Sequence, residues 1–112
     1  IPDTIELYTG DGIARMVVPS TLDGLKLNSI GAHVFTAGSS GNNTIMLYNE
    51  TKSVDILTTG VIIEVSETDS STSGTPPLIS SNNTVNTADV LRIDVDTKSN
   101  GAKGLELRMT FK

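Results

Sequence analysis

The chain alternates apolar and polar residues in short runs, and its last quarter carries the clearest of them. Val90-Leu-Arg-Ile-Asp-Val-Asp96 puts Leu91, Ile93 and Val95 on one side. Leu105-Glu-Leu-Arg-Met-Thr-Phe111 does the same with Leu105, Leu107, Met109 and Phe111, because successive side chains point to opposite faces of a strand. With Asn100-Gly101 between them, the two runs predict a half-buried antiparallel hairpin at the centre of the fold.

The same reading carried upstream predicts further strands. Thr4 to Tyr8 alternates and is followed by Gly10-Asp11-Gly12, which predicts a first strand and a turn. Ile13 to Val18 stops at Pro19, whose missing N–H cannot serve a central ladder, and Ser20 to Gly24 turns. Leu25 to Thr36 is the longest strand expected, but its phase changes: Leu25 and Leu27 are odd, whereas Ile30, Ala32 and Val34 are even. A bulge near Asn28-Ser29 reconciles them. After a flexible turn at Gly38 to Asn42, Thr44 to Asn49 has Ile45 and Leu47 on one face and Met46 and Tyr48 on the other, so both faces are expected to be covered. Thr51 to Ser53 turns, and Val54 to Leu57 and Gly60 to Val65 are short apolar runs, the second rich in β-branched residues that suit a strand.

Ser66 to Pro77 is built almost wholly of Ser, Thr, Gly, Asp, Glu and Pro and reads as an exposed loop. Loops of this length are more often functional or interface-forming than merely connective, which makes Ser70, Thr72 and Thr75 candidate interface residues; the alternative is a disordered crossover. Leu78-Ile79 is an apolar island before a second polar stretch, Ser80 to Thr87. About eight short strands with turns every 8 to 12 residues or so predict an all-β fold, an antiparallel β-sandwich of jelly-roll type, with residues 1–112 as one domain.

Composition narrows the functions open to such a domain. A chain of 112 residues with 37% hydrophobic and 4% aromatic residues and no Trp has a thin core of Val, Ile, Leu and Met, and neighbouring subunits are expected to help cover it. The net charge of −5 and pI near 4.6 argue against nucleic acid or an anionic membrane as partner, since both call for a basic surface. The absence of Cys removes disulfides, thiolate metal sites and Cys nucleophiles. No apolar run approaches the roughly 18 to 20 residues of a spanning helix, so membrane insertion is not expected. The chain opens Ile1-Pro2-Asp3 without an initiator Met, and an N-terminal segment is expected to precede it.

The candidate chemistry is sparse. His33 is the only His, which rules out a His-based triad or a multi-His zinc site within one chain; opposite the apolar phase of Ile30, Ala32 and Val34, it is expected at the surface or an interface. A threefold assembly could bring three copies of it together. Asp94 and Asp96, with Asp89 nearby, offer oxygen ligands suited to Ca²⁺, but the Asp-rich loop spacing with a central Gly and terminal Glu is absent. With Arg92 they read better as a surface or subunit-contact face. Glu6, Glu50, Glu64, Glu67 and Glu106 are scattered without the paired spacing of a glycosidase, and no Ser lies in a Gly-x-Ser-x-Gly elbow. Asn42-Asn43-Thr44, Asn49-Glu50-Thr51 and Asn82-Asn83-Thr84 are glycosylation patterns that matter only in a secretory pathway. With Tyr8, Tyr48, Phe35 and Phe111 the only aromatics, sugar stacking has few platforms, and shallow polar recognition stays open. No catalytic group, cofactor or metal is expected.

Three further stretches carry a resemblance. Met16-Val-Val-Pro-Ser-Thr-Leu-Asp-Gly-Leu25, Ala32-His-Val-Phe-Thr-Ala-Gly38 and Asp89-Val-Leu-Arg-Ile-Asp-Val-Asp96 with Ala102-Lys-Gly-Leu105 resemble small structural proteins of tailed bacteriophages, over most of the chain. The resemblance implies a non-enzymatic part of the virion surface, assembled in the host cytoplasm: a capsid decoration protein or head fibre. The alternative it implies is a tail-fibre or appendage domain that binds a host receptor or glycan. Either would be a homo-oligomer, a trimer among the forms expected, in contact with capsid or tail proteins and acting by multivalent binding.

Overall fold

A computed structural model describes residues Ile1–Lys112. Nine strands form the fold: β1 (Gly10–Val17), β2 (Leu27–Thr36), β3 (Asn43–Asn49), β4 (Val54–Asp55), β5 (Leu57–Thr59), β6 (Val61–Ile63), β7 (Leu78–Ile79), β8 (Val90–Thr97) and β9 (Lys103–Phe111). The only helical pieces are single 3₁₀ turns at Ser20–Leu22 and Ser70–Thr72. Every strand pairing is antiparallel. The large sheet runs β1-β8-β3-β4, with β6 also on β3, and two small sheets are β2-β9 and β5-β7. The protein is all-β and sandwich-like.

One core lies between the sheets. Ala32 and Val34 of β2, Ile45 and Leu47 of β3, Val61 and Ile63 of β6, and Leu91 and Val95 of β8 are fully buried in one cluster. Leu105, Leu107, Met109 and Phe111 of β9 pack on it half-buried. The alternation of the sequence is therefore realised strand by strand, and the phase change in β2 appears as a register shift between Leu27 and Ser29.

The expected closing hairpin is not formed. β8 inserts between β1 and β3, while β9 pairs with β2 in the other sheet. The connection between them is drawn inward instead of turning back on itself. Ser99 is fully buried, its N–H donates to Asn43 Oδ1 at 2.7 Å and its hydroxyl donates to the Ser40 carbonyl at 3.0 Å. The Asn100 N–H also reaches the Ser40 carbonyl. The β2–β3 and β8–β9 connections thus cross between sheets side by side. They touch at Gly38, where a Cβ would fall 1.9 Å from Ser99 Oγ, so only glycine fits.

The N-terminal expectation also changes. Thr4 to Tyr8 is not a strand; it makes a single bridge, Glu6 to Lys103, while the Leu105 and Gly104 N–H groups donate to the carbonyls of Ile1 and Ile5. Leu7 is buried. Gly10-Asp11-Gly12 is no turn but the start of β1, and its register against β8 shifts between Gly10 and Ala14.

Candidate interaction surface

The outer face of the β2-β9 sheet is built from residues facing away from the core. Gly31 of β2 lies opposite Arg108 of β9 and His33 lies opposite Glu106. A Cβ on Gly31 would meet the Arg108 guanidinium at 2.7 Å, so glycine there lets Arg108 lie flat across β2. Beyond β2 the guanidinium finds Asp69 and donates to both its oxygens, at 2.7 and 2.8 Å. His33 Nδ1 lies 3.2 Å from Asp69 Oδ1; the carboxylate can only accept, so this nitrogen carries the hydrogen. The paired Arg108 fork, with help from the Ser71 N–H and His33, holds the Asp69 carboxyl well below the usual carboxylate range. Phe35 stands 64% exposed on the same strand.

Asp69 belongs to the Ser66 to Pro77 loop, which is pinned to this face. The Val34 N–H donates to the Thr68 carbonyl at 2.8 Å, and the Gly74 N–H donates to Glu64 Oε1 at 2.6 Å. Ser70, expected as a contact residue, is buried: its hydroxyl accepts from the Ala32 N–H at 2.9 Å. It satisfies a backbone group that β2 leaves unpaired, and so it anchors the loop. Thr72 and Thr75 stay exposed.

The outer face of the large sheet carries the other expected cluster, differently from expectation. Arg92 donates through Nε and a terminal nitrogen to the two oxygens of Asp94, each at 2.9 Å, and its guanidinium lies 4.4 Å from the centre of the Tyr48 ring. Asp94 is not a surface residue. It is buried, because the β1 bulge folds over it and the Gly12 N–H donates to it at 2.8 Å. Only Asp96 is open to solvent, where partial desolvation and the carboxylates of Asp94, Asp11 and Asp55 push its pKa up. Alongside, Arg15 pairs with Glu50 at 3.2 Å.

Asp89 is set apart from both. It is buried and accepts from Asn49 Nδ2 and the Asn86 N–H, each at 3.0 Å, with Lys52 Nζ at 3.3 Å. Burial works to raise its pKa, but these donors outweigh it and the carboxyl lies below its ordinary value. Asp89 and Asp94 therefore spend their oxygens on protein donors, and they do not converge with Asp96. Of the three glycosylation patterns, Asn49 is buried, whereas Asn42 and Asn82 are exposed.

An open site of about 210 Å³ is lined by Lys52, Val54, Ser81, Asn82 and Thr84. Sequence reasoning did not single out Asp69, Arg108 or Lys52. Gly31 inside a strand was the available sign of a close approach. Comparison with protein-family models, with curated proteins and with solved structures gives no match.

Proposed function

We propose that this chain is a non-enzymatic structural protein of a bacteriophage virion surface, of capsid-decoration or head-fibre type, acting through contacts between subunits. The virion assignment rests on the resemblance of the Val-Pro, Thr-Ala-Gly and Leu-Arg-Ile-Asp-Val stretches. The observation that supports an interaction role is the β2-β9 outer face. There a bare Phe35 stands on the same strand face as a charge cluster immobilised by its own loop, a pre-ordered surface of the kind that docks a large partner at low entropic cost. Mass spectrometry of purified particles tests the reading: the chain is expected at a fixed stoichiometry to the major capsid protein. Its absence from intact particles overturns it.

The open site at Lys52, Ser81, Asn82 and Thr84 favours one second reading, a tail-appendage domain that recognises a host glycan through polar contacts. On that reading the isolated domain binds a glycan array, and Asn82→Ala abolishes the signal; no binding to any glycan removes it.

A further inference from the structure

We infer that two copies of this chain pair through the open edge of β9, antiparallel about a twofold axis at Met109. The inference deepens the reading of the chain as an interaction protein. The edge is defined by hydrogen bonds at its two ends. At one, the Leu105 N–H points away from β2, to the Ile1 carbonyl at 3.0 Å; at the other, Lys112 exchanges both backbone bonds with Lys26, at 2.8 and 3.1 Å. Backbone groups alternate in direction along a strand. Leu107, Met109 and Phe111 therefore aim their N–H and C=O groups out of the side facing no other strand, and none of residues 1–112 pairs with them. Unlike managed edges, this stretch has no proline and no inward-pointing charge between Leu107 and Phe111, and the one register shift beside it puts its extra residue in β2, between Leu27 and Ser29, not in β9.

Three features choose a second copy as the occupant. Only a register centred on Met109 uses Leu107, Met109 and Phe111 without displacing Ile1 from Leu105. It sets Leu107 opposite Phe111 of the second copy and Met109 opposite Met109, so the half-buried inner row of β9 gains cover on the core side. It also sets Glu106 opposite Lys112, twice by symmetry. Neither residue has an ion pair within the chain, and Lys112 sits against Lys26, a positive end that Glu106 of the second copy complements. An isologous contact of this kind closes as a dimer and joins two small sheets into one of order β2-β9-β9-β2.

The test is a charge swap on the full chain, read by analytical ultracentrifugation. Glu106→Lys and Lys112→Glu each place like charges opposite one another and are expected to weaken the dimer about tenfold; the double variant restores it. Both side chains are exposed, so the monomer fold is unaffected. In a chain without Cys, Met109→Cys is expected to oxidise to a covalent dimer, since directly opposed residues of a hydrogen-bonded antiparallel pair lie about 5.5 Å apart. Ala14→Cys on β1 stays monomeric under the same conditions. A monomer at every concentration, an assembly indifferent to both swaps, cross-linking at Ala14 but not Met109, or capture of the Glu106 edge by another virion protein overturns the inference. None of these touches the particle-composition result, so the two readings fail separately.

Discussion

β1 and β9 are the outermost strands of the two main sheets, and the chain finishes their edges in opposite ways. β1 breaks register between Gly10 and Ala14, bends where Gly12 takes φ +69° and is followed by Pro19. Its bulge is tied down by Asp94, and Arg15 and Glu50 pair beside it. β9 holds an unbroken register against β2 from Ser29–Thr110 to Thr36–Lys103, and where the register shifts beyond it, between Leu27 and Ser29, the extra residue lies in β2 and not in β9. Its first residues are covered by the N-terminal segment, while Leu107 to Phe111 are left bare. Edge protection is thus a local property, built where side chains bend the backbone and missing where they do not. In the dimer proposed above, the bare stretch is the one that meets the second copy.

The largest effect expected on this contrast comes from Asp94→Ala. The substitution releases the β1 bulge and strips the half-buried Arg92 of its bidentate partner, leaving it only the exposed Asp11 at 3.8 Å, and losing such charge-assisted hydrogen bonds costs about 2–3 kcal/mol. Urea unfolding should show the unfolding free energy falling by that amount, through a lower midpoint at unchanged slope. A loss near zero would mean that the bulge holds itself. Gly12→Val comes next. It forces a β-branched residue into left-handed backbone and drives a Cβ toward the Arg15 guanidinium, 2.8 Å away. The strain costs about 1–2 kcal/mol, and hydrogen exchange should quicken along β1 but not β9.

Arg108→Ala probes the other edge's face. The guanidinium is largely exposed, so the loss of stability is about 1 kcal/mol, but the Ser66 to Pro77 loop loses its strongest tie. Limited proteolysis should cut there first. The Asp69 carboxyl is held low in the folded state, so this clamp contributes fully above the ordinary carboxylate pKa and is lost as pH falls through the depressed one. At neutral pH the wild type should resist cleavage, and the difference from Arg108→Ala should shrink in strong acid. Equal cleavage at pH 7 would sink the idea that the clamp orders the loop.

What was legible in the sequence followed from side-chain alternation. β3, β8 and β9 show their inner rows directly, and the odd-to-even change after Leu27 places the bulge in β2. Pairing was not legible, because ladder bonds are made by backbone groups that every residue carries. Val90 to Asp96 and Leu105 to Phe111 look the same whether they face each other or lie in different sheets. What separates the cases is whether Ser99 can be buried beside Gly38, a contact between positions far apart in the chain. The site residues divide in the same way. His33, Thr72 and Thr75 are exposed as their phase or composition suggests, whereas Ser70 and Asp94 are buried by backbone N–H donors, those of Ala32 and Gly12, that arrive from distant strands. Arg108 and Asp69 meet only because Gly31 leaves the space between them.

Asp96→Asn gives the smallest change and the sharpest check on the large sheet's charge balance. Asp94 is neutralised by Arg92 and the Gly12 N–H, but Asp96 has no such partner and faces Asp94, Asp11 and Asp55. Its folded pKa is raised, so its ionised form disfavours the fold. Stability linked to it is present below the unfolded value and is lost as pH rises through the folded one. Removing the charge should therefore stabilise the protein at pH 7, within the half kcal/mol or so usual for exposed positions, and the gain should vanish in acid, where wild-type Asp96 is already neutral. The sign separates it from Asp69 on the other face, whose neutralisation destabilises. Thermal unfolding at pH 7 and pH 3 reads the difference: a loss of stability at pH 7 would mean that Asp96, like Asp94, is held by donors rather than crowded by acids.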